Sequence, residues 1–280
     1  MNHVVLEEAL RRIHNLPSLP AVVLDLLASM NQEDVDIDVL AKKIAQDQAL
    51  TAKTLRLANS SFYGMARQVT TIAQAIAILG FRTVRSIATT AALMGTFTST
   101  GHPGFDFAPF WRHAIAAAVC ARALAEHLDI NPEHAYTAGL LHDIGRLVLV
   151  TQFPSQYDAT MAYRAEHDCH LLQAEQTVLG LDHAVIGHAL TQHWKFPSAM
   201  QQAVSEHHAP SSVGVAPLSL VVMAADAIAH ALDLSGDAND LVPSVPDGLW
   251  QQLGLSDEVL LQVFGQTENQ FDGLSQVLGG

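Results

Sequence analysis

Seven residues carry the chemistry that this sequence offers, and each sits at or near a helical face that should be apolar. They are His113 in "FWRHAIAAAV", His142 and Asp143 in "AGLLHDIGRLVL", His183 in "LDHAVIG", His207 and His208 in "SEHHAP", and Asp226 in "MAADAIA". Burying an unpaired carboxylate costs several kcal/mol even after relaxation. A bound divalent ion offsets such a cost, because metal binding contributes on the order of 10 kcal/mol in favourable structural sites. Imidazole and carboxylate suit Fe, Mn, Zn or Ni. Adjacent residues on a helix diverge by about 100°, yet His142 and Asp143 can still reach one ion lying between their directions. A carboxylate has two oxygens, so Asp143 can bridge two ions. Ordinary explanations stand beside this one. His142 and Asp143 can be a polar pair bonded to other helices, and His113 a satisfied core histidine. His183 and His208 can face water, and Asp226 can cap a helix or pair with an arginine.

The elements that must position these residues read as helices nearly throughout. "LPAVVLDLLASM" and "VDIDVLAKKIAQ" repeat apolar residues at helical spacing. Asp36 and Asp47 are predicted N-caps, and Thr71 opens "IAQAIAILG", which Gly80 closes. Asn131 followed by Pro132 predicts the start of one helix running through "EHAYTAGLLHDIGRLVLVTQF". "TSTGHPGFDF" interrupts the pattern with turn formers and marks a joint. No sustained two-residue alternation occurs, so the fold is expected to be all-α. The predicted organisation is a helical N-terminal lobe at 1–100, a metal-binding lobe at 101–235, and a linker with C-terminal helices at 236–280.

The chain is 49% hydrophobic and only 15% charged, with a net charge of −14. That balance argues against broad nucleic-acid binding, which needs a basic face. The charge is uneven, at +1 over residues 1–100 and −15 over 101–280, which suggests halves with different tasks. No apolar run of the length of a membrane span is present. The first residues, with Glu7 and Glu8, do not form a secretion signal. Cys120 and Cys169 show neither metal nor disulfide spacing. A cytoplasmic protein is expected. "LTAKTLRLANSSFYG" places Lys53 and Arg56 near Asn59, Ser60 and Tyr63, with Arg82 and Arg85 beyond. An amphipathic helix and turn explains this stretch, and a partner-contact surface is the sharper alternative.

"HDIG" after an apolar helix resembles the signature of the HD superfamily of metal-dependent phosphohydrolases. "LPSLPAVVLDLL", "QDQALTAKTLRLANSSFYG" and "VTTIAQAIAILGFRTVRSIA" make the chain similar to the HDOD domain, the HD-related output domain of bacterial signalling proteins. The resemblance implies a helical lobe packed on an HD-like lobe. It implies two divalent ions, with His113, His142, Asp143 and Asp226 on one and Asp143, His183, His207 and His208 on the other. It further implies a regulatory protein, acting through a signalling partner or a phosphate-bearing small molecule. The alternative is a phosphohydrolase acting on a nucleotide or other phosphate ester, in which Asp143 bridges the ions and Arg146 stabilises phosphate charge. Relatives that cleave cyclic-di-GMP carry Lys after "HDIG" and a Gly-Tyr-Pro element after the paired histidines. Here Arg146 and "HHAPSSVGVAPLS" stand instead, which points away from that substrate.

Overall fold

The computed structural model describes residues 6–16, 19–29, 35–59, 68–97, 104–238 and 240–278, with side chains through Asp272. These residues form sixteen helices and no strand, which agrees with the all-α expectation. Most of the joint read in "TSTGHPGFDF" (98–103), together with Ser60 and Tyr63, lies outside them.

The N-terminal helices are α1 (Leu6–His14), α2 (Ala21–Ala28), α3 (Ile37–Gln46), α4 (Gln48–Ala58), α5 (Ile72–Leu79) and α6 (Phe81–Phe97). Their starts follow the sequence signals. Asp36 accepts from Val39 N, Asp47 from Leu50 N, and Thr71 from Gln74 N, each satisfying a donor that the first turn leaves free. Gly80 takes φ +81°, a left-handed conformation that suits glycine, and lets α5 turn directly into α6. Helices α2, α4 and α5 pack on α6, whose residues Val84–Leu93 are all buried.

The second lobe is organised around α7 (Phe107–Ala125), which is buried on every side from His113 to Ala125. A helix apolar all round belongs in a core, and the alanine-rich run "AIAAAVCARALA" lets its neighbours approach closely. Those neighbours are α8 (Pro132–Leu141), α14 (Pro217–Ala231) and α16 (Asp257–Leu278). The remaining elements are α9 (Ile144–Gln152), α10 (Pro154–His167), α11 (Leu171–Leu179), α12 (His183–His193), α13 (Ser198–Glu206) and the short α15 (Leu249–Leu253). The lobes meet where α6 packs on α8, with Ser86 Oγ donating to Glu133 Oε2 at 2.5 Å, and where α1 packs on α12.

Two readings change. The single helix expected after Asn131 is two, α8 and α9, broken at His142–Asp143, where Asp143 leaves helical geometry at φ −95°, ψ 6°. Different packing partners impose the break. A Cβ on Gly139 would stand 2.8 Å from the Ala117 carbonyl oxygen, so α8 lies directly on the α7 backbone. A Cβ on Gly145 would stand 2.0 Å from the His183 carbonyl oxygen, so α9 lies directly on α12. The second change concerns Arg85. It is buried on the inner face of α6 and donates to the Ser29 carbonyl at 3.1 Å. It therefore adds nothing to an exposed basic surface with Lys53, Arg56 and Arg82, which are exposed.

Candidate metal centre

The break between α8 and α9 turns His142 and Asp143 into the same cluster that receives His113 from α7, His183 from the first residue of α12, His207 and His208 from the end of α13, and Asp226 from α14. All seven converge. Asp143, His183, His207 and His208 form one close group, while His113, His142 and Asp143 form another, so Asp143 is common to both. His113 also groups with Asp226 and His230. All are buried except His208 and His230, which are half-buried.

Asp226 Oδ1 lies 3.0 Å from His113 Nε2, 3.3 Å from His142 Nε2 and 3.3 Å from His230 Nε2. On the other side Asp143 Oδ1 lies 3.1 Å from His183 Nε2 and 3.7 Å from His207 Nε2. Its second oxygen, Oδ2, does not face the cluster but accepts from Arg146 Nη1 at 2.8 Å. Any bridging by Asp143 therefore falls to the single atom Oδ1.

The Nδ1 atoms on the far sides of these rings fix the tautomers. His142 Nδ1 donates to the Gly139 carbonyl at 2.7 Å, His207 Nδ1 to the Val204 carbonyl at 2.7 Å, and His183 Nδ1 to Glu175 Oε2 at 2.6 Å. Carbonyls and carboxylates only accept, so each Nδ1 carries the hydrogen and each Nε2 presents a lone pair inward. His183 Nε2 and His207 Nε2 then face one another at 3.3 Å. Two lone pairs at that separation repel unless a proton or a cation lies between them. Nearby, His113 Nε2 and His142 Nε2 approach to 3.1 Å, while buried His113 Nδ1 has no partner. The donor set is thus built for a shared positive charge and fits a divalent ion with mixed N/O ligation.

Without an ion, protons carry that charge. Burial pushes His183 down, but Glu175 and Asp143 outweigh it and hold the imidazole well above its ordinary value. Burial likewise lowers His230, yet Asp226 and Asp240 lift it to about 10. Burial raises Asp143 and Asp226, but His142, Arg146 and His183 hold Asp143 far below the usual range, and His230, His113 and His142 do so for Asp226. His208, pushed down by burial and by His207 and His183, stays neutral.

Three residues that the sequence reading passed over complete the arrangement. Glu175 is fully buried in α11 and receives both the backbone N–H and the Nδ1 of His183. His230 sits one turn beyond Asp226, a four-residue spacing that places both on one helix face and could have flagged it. Asp240 makes an ion-pair contact with His230 Nδ1. It comes from the stretch after Leu234 that read as a linker and that here forms a wall of the cavity. That cavity, of about 280 Å³, opens on Asp143, His183, His208 and Asp226, with Arg146, Leu241 and Pro243 among its other walls.

The HDOD domain profile matches residues 16–210. Asp226, His230 and Asp240 therefore lie beyond the matched span. An uncharacterised protein of Treponema pallidum (strain Nichols) is 27% identical over 201 residues, 70% of this chain and 38% of its own length. The chain thus spans well under half the length of that curated relative. Among solved structures, an HDOD domain protein of unknown function from Geobacter sulfurreducens superposes with a TM-score of 0.82 at 24% identity, over 98% of this chain and 99% of that one. A proposed phosphohydrolase from Shewanella amazonensis SB2B superposes with a TM-score of 0.72 at 29% identity, over 95% and 97%.

Proposed function

Because the chain belongs to the HDOD domain family, we propose that its His/Asp cluster is a two-ion divalent-metal centre in a bacterial signalling module, and that the adjoining cavity receives a phosphate-bearing small molecule. The observation that carries this reading is the facing of His183 Nε2 and His207 Nε2 at 3.3 Å while both Nδ1 atoms are committed to acceptors. His113, His142, Asp143 and Asp226 would hold one ion, and Asp143, His183, His207 and His208 the other. His230, backed by Asp240, is a further donor on the Asp226 side. Fe, Mn, Zn and Ni all suit this donor set.

Hydrolysis of the bound phosphate ester is the second reading. It is favoured by a cavity that opens onto both ligand groups at once and by the likeness to the Shewanella protein. Divalent ions held there would supply positive charge for phosphoryl oxygens and would lower the pKa of a bound water molecule. The chain's own contribution is positional. Asp143 Oδ2 orients Arg146 through Nη1, and the residue lines the cavity, where its charge would face a phosphate oxygen. The Phe110 ring centroid lies 5.6 Å from the guanidinium, within cation–π range.

Elemental analysis of protein purified without chelator tests the metal reading, with Asp143→Ala as the reference. The expected result is about two equivalents of metal in the wild type and a near-complete loss in the variant. Equal metal in both proteins, or none in either, would overturn it. A screen of phosphomonoesters, phosphodiesters and nucleotides with Mn, Fe, Co or Ni then separates the readings. Turnover above that of Asp143→Ala establishes hydrolysis, and metal without turnover leaves the binding role alone.

A further inference from the structure

A second polar cavity, of about 730 Å³, lies in the seam between the lobes and shares no residue with the metal centre. Three guanidinium groups line it, from Arg82 and Arg85 on α6 and Arg122 on α7. Two carboxylates, Glu126 and Glu133, stand against them. Glu133 is already committed, with one oxygen 3.8 Å from Arg122 and the other accepting from Ser86.

Arg85 is the anomaly. It is 4% exposed. Its Nη1 serves the carbonyl and hydroxyl of Ser29 at the end of α2, at 3.1 and 3.3 Å. Its Nε is buried with no hydrogen-bond partner. Among the described residues no carboxylate comes within ion-pairing distance of it, whereas Arg12, Arg122 and Arg146 each have one. A buried cation without a carboxylate partner is costly, even with the Phe81 ring 5.7 Å from its guanidinium, and burial accordingly weakens the hold of Arg85 on its proton, with Arg82 acting in the same direction against Glu133. Arg82, exposed on the same rim, has no ion pair among the described residues either. The first turn of α6 also opens here, bears no acidic side chain, and follows Gly80 directly. Its free N–H groups add positive potential to that of the arginines. Leu79, Phe81 and Pro132 supply an apolar shelf beside the charged groups.

We propose that this seam is a binding site for a small phosphorylated ligand, with Arg85 as the buried anchor, Arg82 as the rim contact and the α6 N-terminus facing the phosphate. The volume falls in the range of small-molecule sites and suits a mononucleotide. Such a ligand touches α6 of one lobe and α7 and α8 of the other. Helix α8 is ten residues long, so the seam lies about 15 Å along the helix axis from His142.

Calorimetry on the full chain, stripped of metal with chelator so that the metal centre does not compete, tests this with inorganic pyrophosphate and adenosine monophosphate as probes. Wild type is expected to bind at least one probe. Arg85→Met, which keeps the length of the side chain without its charge, is expected to weaken binding by about tenfold or more, and exposed Arg82→Ala by about threefold or more. Circular dichroism checks that Arg85→Met folds, and Arg82→Ala keeps the test open if it does not. No heat from either probe with stripped wild type, or wild-type affinity in Arg82→Ala and in any folded Arg85→Met, would overturn the proposal.

Discussion

Asp143 and Asp226 are both buried aspartates at the heart of one cluster, yet they are neutralised differently. Asp143 is paired with a permanent cation, Arg146, through one oxygen, and shows the imidazoles only the other. Asp226 has no arginine or lysine partner among the described residues and is surrounded by three imidazole nitrogens at 3.0–3.3 Å. One side of the centre is thus held at fixed charge. The other is exchangeable, because its counter-charge comes from imidazoles that gain and lose protons. Under the proposed metal reading that side would respond to pH and to metal supply, while the fixed pair keeps its charge.

Breaking the fixed side should have the larger effect. Asp143→Ala strands Arg146 in a buried position and is expected to destabilise the chain by about 3–5 kcal/mol, read as a lower urea midpoint, beside its loss of metal. Asp226→Asn strands no permanent cation. Its expected cost is about 1–3 kcal/mol, with metal content falling by about half in elemental analysis. Equal destabilisation by the two substitutions would show that the two aspartates are neutralised alike. Glu175→Gln and Asp240→Asn act one shell further out, on His183 and His230. Each is expected to weaken metal affinity by about 10–100-fold in competition with a chromophoric chelator, and unchanged affinity for both would show that these carboxylates do not support the imidazoles as metal donors.

A further effect is in pH. His230 is raised to about 10 in the metal-free fold, so its charge stabilises that fold fully below the ordinary imidazole value of about 6.5 and the benefit disappears as pH rises through about 10. Metal-stripped protein should therefore lose stability between pH 6 and 10 in urea titrations. Asp226→Asn should flatten that slope, because it removes the larger of the two charges that raise His230. A slope unaffected by Asp226→Asn would show that the exchangeable side does not work through this pair.

Much of the scaffold could be read from local signals. Asp36, Asp47, Thr71 and Asn131 open helices where their side chains cap, because capping depends on residues only two or three apart. The seven clustered residues were visible as polar side chains on apolar faces. The break between His142 and Asp143 was not, since it arises from contacts of Gly139 with α7 and of Gly145 with α12, which are distant in sequence. Glu175 looks like any surface glutamate in "HLLQAEQTVLG" and is fully buried. Asp240 lies in a stretch with no periodicity at all, so nothing local links it to His230. Arg85 reads in the sequence as a candidate addition to the positive charge near Lys53 and Arg56, whereas its burial on the inner face of α6 is set by α2, α4 and α8, which are distant in sequence. Among the described residues no helix is long and apolar enough to cross a membrane.

The glycine contact between α9 and α12 has a consequence for variation. With a Gly145 Cβ position only 2.0 Å from the His183 carbonyl and 2.6 Å from Gly187 N, the two helices meet main chain to main chain, and nothing remains to be trimmed between them. A descendant that needed room for a bulkier guest could not gain it by sliding these rods apart without tearing His183 from Asp143. The freedom lies instead in the helix-free strip around Leu241 and Pro243, where insertions would reshape the entrance while leaving the inner spacing untouched.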